Sequence, residues 1–217
     1  MIMAADKIPP FIAFEGIDKC GKGTQSLKAV DFLRGVWGNV VFFREPNERD
    51  NHTGRLIRRI LQHELPAPAN DALQRLFVID RAEDTVCTVL PGLEHGRPVV
   101  ADRFALSTIA YGALTGCADL FIAMHREVLG PWLRWPNLTV LMDIPAEVAM
   151  QRLARERGAP ELFEKLESLA KIRQAYLDIA ASSRAWAPDM RVEVINGDRP
   201  VDTVAAEIQM ILAPYTP

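Results

Sequence analysis

Short apolar segments alternate with longer amphipathic segments along most of this chain. The apolar segments are rich in β-branched and aromatic residues and are bounded by glycine, proline or asparagine, as strands usually are. The predicted strands are residues 11–15, 39–45, 98–102, 138–144 and 191–195. The stretches between them have the periodicity of helices. The predicted helices are residues 21–35, 53–64, 70–90, 105–115, 119–129, 146–157, 161–185 and 200–213.

Strands that are apolar on both faces belong in a parallel sheet that helices cover on both sides. We therefore predict an α/β fold with a five-stranded parallel sheet flanked by helices in three layers. The 217 residues are enough for one well-buried core. Neither an internal repeat nor a linker-like stretch divides the chain, so one domain is expected over residues 1–217.

The composition excludes several classes of protein. Hydrophobic residues make up 49% and charged residues 24% of the chain, a balance typical of globular proteins rather than disordered or fibrous ones. The net charge of −3 argues against nucleic acid as a partner. No apolar run reaches the length of about 18 residues that a membrane span needs. The three scattered cysteines and the lack of a signal-peptide pattern favour a cytoplasmic protein.

The strongest chemical signal is the segment FEGIDKCGKGTQ at residues 14–25. Gly16, Gly21 and Lys22 fit the frame G-x-x-x-x-G-K, directly after the first predicted strand and at the start of the first predicted helix. Glycines there let backbone N–H groups surround phosphate oxygens, and the lysine reaches the β- and γ-phosphates. The loop predicts an ATP site. Its predicted members are Gly16, Asp18, Lys19, Cys20, Gly21, Lys22, Gly23 and Thr24.

The metal site departs from the usual pattern of such loops. Gly23 stands where a serine or threonine normally binds Mg²⁺, and Thr24 follows it. Mg²⁺ would then be held by the phosphates, water molecules and a carboxylate. Asp102, at the end of a predicted strand, is placed to be that carboxylate. The alternative is that Asp102 caps the helix that follows it.

Further motifs give the chain a family resemblance. They are FEGID followed by GK-x-TQ, REP at 44–46, FVIDR at 77–81, DRF-x-x-S at 102–107 with Tyr111, and MQRLARERG at 150–158. In this order and spacing they resemble the thymidylate kinase family of P-loop nucleoside monophosphate kinases, from about residue 11 to the C-terminus. The resemblance implies a P-loop kinase-type domain with a small arginine-bearing lid at about 152–160.

The resemblance also implies an acceptor site. Asp18 would hydrogen-bond the 3′-hydroxyl group of the acceptor sugar, and Arg103 and Arg58 would bind its phosphate. Lys19 stands where the family often has an arginine that aids phosphoryl transfer. The simpler alternatives are a solvated loop lysine for Lys19 and an exposed helix arginine for Arg58.

The base pocket implied by the resemblance centres on Phe77 and Arg81. Their i, i+4 spacing puts both side chains on one helix face. The ring would stack on a pyrimidine while the guanidinium group donates to its O4, although core packing is the alternative for Phe77. Thr108 and Tyr111 map onto pocket positions. Pro46 matches a proline whose preceding peptide bond is often cis.

The lid would contribute three arginines that close over ATP. Arg152, Arg155 and Arg157 would neutralise charge on the transferring phosphoryl group. The alternative is a solvated charged face at a helix end.

Two more departures from the family pattern concern the acceptor side. Asn47 and Glu48 replace the two glycines that usually follow REP. Gly112 replaces a glutamine that commonly follows the Tyr111 position, which removes one hydrogen-bonding group from the base side.

The expected reaction is phosphoryl transfer from Mg·ATP to dTMP, giving ADP and dTDP. Positioning and electrostatics would carry it, with Lys22, Arg103, Lys19, Arg155 and Arg157 as the catalytic groups. The alternatives are a kinase for dUMP or a modified deoxyuridylate, and a nucleotide-binding module without catalysis.

The resemblance further implies a homodimer formed by packed helices. The apolar helix surfaces around residues 70–90 and 105–115 are the expected contributors. The residues named for this surface are Val78, Val86, Ile109 and Leu114.

Overall fold

A computed structural model describes residues 8–155 and 165–217 of the protein. Within these residues the chain forms a five-stranded sheet in the order β2-β3-β1-β4-β5, and every neighbouring pair is parallel. The strands are β1 (Phe11–Glu15), β2 (Val41–Arg44), β3 (Val99–Asp102), β4 (Leu138–Asp143) and β5 (Arg191–Asn196). All five predicted strands are confirmed, with ends that differ by at most two residues.

The helices lie where the periodicity predicted them, with some changed ends. They are α1 (Lys22–Trp37), α2 (His52–Leu61), α3 (Asn70–Asp84), α4 (Leu90–Glu94), α5 (Ala105–Gly112), α6 (Ala118–Leu129), α7 (Ala146–Leu153), α8 (Leu166–Ser182) and α9 (Val201–Leu212). A π-helical turn, Thr85–Val89, joins α3 to α4. None of the helices in the described ranges is long and apolar enough to cross a membrane.

The central strand β1 shows why three layers form. All five of its residues are buried. Ile12 and Phe14 pack into one hydrophobic cluster, whereas Phe11 and Ala13 pack into a second one. Because successive side chains of a strand point to opposite faces, the two clusters lie on opposite sides of the sheet. The predicted α/β fold is confirmed.

The parallel arrangement brings three strand ends together. Phe14 of β1 and Arg44 of β2 both pair with Asp102 of β3 in register. The loops that follow these strands therefore leave the sheet side by side. In open parallel sheets ligands bind at this carboxyl edge.

The surface predicted for a dimer is partly wrong. Val78 and Ile109 are fully buried in the hydrophobic core of the chain, so they cannot contact a second copy. Val86 is 44% exposed, so it could contact a second copy. Leu114 packs against the core but is only partly buried.

Candidate active site

The loop between β1 and α1 has the backbone of an anion cradle. Gly21 precedes the first residue of α1 with a φ of 94°, and Lys19 also has a positive φ of 61°. Backbone turns of this kind direct successive N–H groups to one side. A Cβ atom at Gly16 would overlap the carbonyl oxygen of Met142, so the loop packs closely against β4. The first N–H groups of α1 have no side chain at Gly21 to cap them and can bind an anion.

Lys22 is held inside this loop. It is 8% exposed, and its Nζ atom donates to the carbonyl oxygen of Ile17 at 3.2 Å. The same Nζ lies 3.6 Å from Oδ1 of Asp18. Of the other predicted loop members, Cys20 is buried beneath the loop and Thr24 is exposed. The lysine is therefore positioned before any nucleotide binds.

Asp102 fits the role of a magnesium ligand. It is 4% exposed, and Arg44 donates from Nε to its Oδ2 at 2.7 Å. Its Oδ1 atom is buried and has no hydrogen-bond partner in the described chain. A carboxylate oxygen is a preferred ligand of Mg²⁺, and an unpaired buried one is costly unless something binds it. A Cβ atom at Gly23 would lie 3.3 Å from Oδ2 of Asp102 and 3.2 Å from Nη2 of Arg44. The position at which such loops usually carry a serine or threonine is therefore next to Asp102.

Arg103 and Asp18 form an ion pair. Arg103 also donates from Nη1 to the carbonyl oxygen of Gly16 at 3.0 Å, and its guanidinium group lies over the ring of Tyr111 at 5.5 Å. The hydroxyl group of Tyr111 donates to Oδ2 of Asp18 at 3.1 Å. Burial opposes ionisation of Asp18, but the charges of Arg103 and Lys22 outweigh it and lower the pKa of this carboxyl group.

A buried carboxylate supports Arg103 from behind. Glu15, the last residue of β1, accepts the backbone N–H of Phe104 at 2.9 Å and the hydroxyl group of Ser107 at 2.6 Å. Ser107 and the hydroxyl group of Tyr176 in turn accept from Nη1 of Arg103 at 3.2 and 3.3 Å. Glu15 thus ties β1 to α5 and orders the groups that hold the arginine. Ser107 is the serine of the DRF-x-x-S motif, but the sequence assigned this supporting role neither to it nor to Tyr176.

These groups open onto one cavity of about 310 Å³. Nine predicted site residues line it: Asp18, Lys19, Lys22, Pro46, Arg58, Phe77, Asp102, Arg103 and Thr108. Tyr111, also predicted, completes the wall. The cavity brings together basic groups and aromatic rings, which is the combination that a nucleotide needs.

Five cavity residues were missed by sequence reasoning. They are Arg44, Glu45, Leu61, Gln74 and Ser107. Arg44 and Glu45 stand in the REP motif at the end of β2, a position that could have marked them. Gln74 lies three residues before Phe77, on the same helix face.

Arg81 is not on the cavity wall. It is fully buried, and each of its five N–H groups has a partner. Glu45 accepts from Nε and Nη2, Thr108 and His125 accept from Nη1 at 2.9 and 2.6 Å, and the carbonyl oxygen of Phe104 accepts from Nη2 at 2.8 Å. No donor of Arg81 is left for O4 of a pyrimidine in this state. The predicted base contact would need one of these bonds to break, and it stays a prediction.

His125 accepts from Arg81 as a neutral ring. Burial, with the nearby charge of Arg81, lowers its pKa to about 3. Its Nδ1–H donates to the carbonyl oxygen of Phe121 at 2.7 Å, which leaves Nε2 as the acceptor. The sequence assigned no role to this histidine.

The segment after β2 is tied to α3. The Glu45–Pro46 peptide bond is cis, as the resemblance implied. The side chain of Asn47 donates to Asp84 at 2.6 Å, and that of Asn51 donates to Asp80 at 2.9 Å and to Asp84 at 3.1 Å. Burial, together with the charge of Asp80, raises the pKa of Asp84 to about 7. Asn47, one of the two residues that replace the family's glycines, thus anchors this loop together with Asn51.

Of the remaining predicted arginines that the structure describes, only Arg58 lines the cavity. Arg58 lines the cavity from α2, with its Nε atom 3.7 Å from Oε2 of Glu48. Arg152 does not line the cavity; it donates to the carbonyl oxygen of Lys19 at 3.0 Å and to Asp198 at 3.1 Å. Arg155 is exposed in the turn after α7. Arg157 and most of the predicted lid lie outside the described residues.

A parallel sheet, a glycine-rich loop before α1 and a basic cavity at the carboxyl edge define a P-loop nucleotide-binding protein. Residues 14–208 match the family model described as thymidylate kinase. The chain is 35% identical to a thymidylate kinase of Leifsonia xyli subsp. xyli over 92% of each chain. It is 32% identical to one of Ruegeria pomeroyi over 93% of each, and 31% identical to a probable thymidylate kinase of Archaeoglobus fulgidus over 94% of this chain and 95% of that one. The chain belongs to the thymidylate kinase family.

Proposed function

We propose that this protein transfers the γ-phosphoryl group of ATP to the phosphate of dTMP, giving ADP and dTDP. Family membership supports both the donor and the acceptor. The observation that carries the proposal is the shared cavity, whose wall contains Lys22 of the loop, Arg103 and the ring of Phe77. A pyrimidine monophosphate has an anionic end and a flat end, and these side chains suit both.

The transfer needs positioned charge rather than a general base. An oxygen of the dTMP phosphate bonds to the γ-phosphorus as the bond from that phosphorus to the β–γ bridging oxygen breaks. Because the attacking oxygen is already anionic, no residue has to remove a proton from it. Lys22 and Lys19 would stabilise the donor phosphates, and Arg103 with Arg58 would hold the acceptor phosphate. Asp18, with its lowered pKa, stays ionised and can accept the 3′-hydroxyl group.

Magnesium is the expected metal, and Asp102 is the residue that would hold it. Its unpartnered Oδ1 supports this assignment. The ion, when bound, would neutralise charge on the phosphates. Gly23 contributes no oxygen, so water and phosphate oxygens would fill the other positions around the ion.

The proposal also covers the arginines of the lid and the cellular location of the protein. Arg152, Arg155 and Arg157 would add positive charge near the donor phosphates. A cytoplasmic location rests on the sequence, and Cys20, Cys87 and Cys117 are free thiols in the structure. A kinase for another pyrimidine nucleotide, or a module without catalysis, is not favoured by the family.

A homodimer is proposed on the exposed apolar residues of α3 and its π-helical turn. Ile79 is 38% exposed and Val86, seven residues later, is 44% exposed. Light scattering at micromolar concentration should give a mass of two chains, and a single-chain mass would contradict this part of the proposal.

The test is a substrate panel with Mg·ATP. ADP release is measured with dTMP, dUMP, dCMP, dGMP and AMP, and without an acceptor. We expect the highest kcat/KM for dTMP and a lower, measurable value for dUMP, because the 5-methyl group contributes about 1 kcal/mol in an apolar pocket. ADP release that no acceptor increases would contradict the proposed function.

A further inference from the structure

Gln74 occupies an unusual position in the cavity wall. It is only 1% exposed, yet it lines the cavity one turn before Phe77 on α3. Residues three apart on a helix share a face, so the amide and the ring border the same part of the cavity. The hydrogen-bond partners of the Gln74 amide show what it can offer to a ligand. In the described chain only its Nε2 has a partner, Oδ1 of Asn70 at 3.1 Å.

Asn70 fixes which way the Gln74 amide faces. The Nδ2 group of Asn70 donates to the carbonyl oxygen of Tyr111 at 3.0 Å and to the hydroxyl oxygen of Thr115 at 2.9 Å. Because a carbonyl oxygen only accepts, this assignment of the Asn70 amide is determined. Its Oδ1 therefore needs a donor, which is Nε2 of Gln74. The Oε1 atom and the second N–H of Gln74 are left for a ligand.

This orientation matches thymine and mismatches cytosine. Thymine has an N3–H donor between two carbonyl acceptors, so Oε1 can accept from N3 while Nε2 donates to a neighbouring carbonyl oxygen. Cytosine has an acceptor at N3 and an amino donor at C4, which would face Oε1 and the N–H of Gln74, acceptor to acceptor and donor to donor. Turning the amide over would pair cytosine but would place Oε1 against Oδ1 of Asn70.

Helix α5 supplies no amide side chain at position 112 to contact the base. Gly112 stands where the family commonly has a glutamine, and a Cβ atom there would lie 2.5 Å from the ring of Phe121. Arg81, the other candidate, has all its donors occupied. Gln74 is thus a buried side chain of the cavity wall whose Oε1 and second N–H have no partner among the described residues.

We infer that Gln74, oriented by Asn70, reads the N3–H edge of the acceptor pyrimidine and so selects thymine or uracil over cytosine. The inference rests on the proposed function, because it concerns the acceptor of that reaction. The amide does not contact the 5-methyl group in this arrangement. It therefore separates dTMP and dUMP from dCMP without separating them from each other.

The first experiment replaces the amide by an apolar group of similar length. Gln74→Met should lower kcat/KM for dTMP and dUMP by about tenfold or more, because the N3–H edge loses its partner. The value for dCMP should change little, and the ratio of dTMP to dUMP should stay within about twofold of wild type. Gln209→Met, an exposed glutamine on α9, is the matched control and should keep all wild-type ratios.

Two further experiments leave Gln74 in place: one changes Asn70, and the other changes the nucleotide offered to the wild-type protein. Asn70→Ala keeps Gln74 but frees its amide to turn, so dCMP use should rise several-fold relative to dTMP. N3-methyl-dTMP lacks the donor, so wild-type protein should use or bind it at least about tenfold more weakly than dTMP, and Gln74→Met should reduce that difference.

The outcomes separate this inference from the proposed function. A Gln74→Met protein that keeps the wild-type ratio of dTMP to dCMP, or wild-type protein that accepts N3-methyl-dTMP as well as dTMP, would overturn the role of Gln74. Absence of any dTMP turnover in wild type would contradict the proposed function instead. In that case, calorimetric binding of the same nucleotides still tests Gln74.

Discussion

At the residue scale, the charged groups of this cavity are held in place by other parts of the chain. Lys22 is bonded to the loop that carries it, and Arg103 is bonded to Gly16, Ser107 and Asp18. Arg44 is fixed on Asp102. Such preorganised charges need little rearrangement when the phosphoryl group transfers, which is the largest source of catalysis in reactions of this kind.

Lys22→Ala should keep the fold and lower kcat about a hundredfold or more, because one positioned charge at the transferring phosphoryl group is lost. The measurement is ADP release at saturating dTMP, with thermal unfolding to confirm the fold. Lys28→Ala is the matched control, since this lysine of α1 pairs with Asp202 and is 41% exposed. Near-normal kcat in folded Lys22→Ala protein would remove the loop lysine from the mechanism.

Replacement of Arg81 should lower the free energy of unfolding of the protein. Arg81→Met leaves the buried carboxylate of Glu45 without its partner, which typically costs about 3–5 kcal/mol in the free energy of unfolding. Urea unfolding measures this cost. The control Arg75→Met, on the same helix with a largely solvent-exposed partner in Glu127, should cost less than about 1 kcal/mol.

The double variant Arg81→Met/Glu45→Gln sharpens this prediction. It removes the uncompensated charge together with its partner, so it should be more stable than Arg81→Met alone. A single variant as stable as wild type would show that the buried pair contributes little.

At the scale of elements, α3 carries most of the acceptor side. Gln74, Phe77 and Arg81 follow one another at three- and four-residue spacing on one face. The first two border the cavity, and Arg81 supports Glu45 and Thr108 of the wall from behind. One helix thus combines the ligand surface with the buried network that fixes it.

The packing of α5 against α6 gives a prediction at the same scale. Gly112→Ala should destabilise the protein by about 1–3 kcal/mol, because the added methyl group would press on the Phe121 ring. In a Phe121→Leu background the same change should cost less. Gly35→Ala is the matched control: this exposed glycine within α1 has open space around it, so alanine should stabilise by up to about 1 kcal/mol. Equal effects at both glycines in urea unfolding would contradict the assigned contact.

At the scale of the whole molecule, the buried acidic groups make stability depend on pH. The pKa of Asp84 is raised from 3.8 to about 7 by burial and by Asp80, and its Oδ2 has no partner in the described chain. A raised carboxyl pKa contributes stability that is fully present below the unfolded value and is lost as pH rises through the folded value. For Asp84 this window runs from about pH 4 to about pH 7.

Asp84→Asn should therefore lose less stability than wild type when pH rises from 5 to 8.5. The amide keeps the acceptor for Asn47 and Asn51 and removes the ionisation. The measurement is urea unfolding of both proteins at the two pH values, with the exposed Asp189→Asn as control. An unchanged difference between Asp84→Asn and wild type at the two pH values would contradict the raised pKa.

The sequence by itself determined the five parallel strands, the order of the helices and the phosphate loop. These features depend on short-range patterns: runs of apolar residues, helical periodicity, and the spacing of Gly16, Gly21 and Lys22. The sequence also placed Asp102 at the carboxyl end of a parallel strand, the edge at which ligands bind in such sheets. Site residues named on family motifs, such as Phe77 and Arg103, line the same cavity in the structure.

Only the tertiary structure decided what surrounds those residues. Arg81 meets Glu45 and His125, which lie 36 and 44 residues away in the sequence, and these contacts use the donors that a base contact would need. Phe121 fills the space beside Gly112, and the core buries Val78, which we had expected at the dimer surface that the resemblance implies. Periodicity tells which face of a helix is apolar, but not which distant side chain fills a space or takes a hydrogen bond. That depends on packing across elements, since each buried donor and each volume can be used only once.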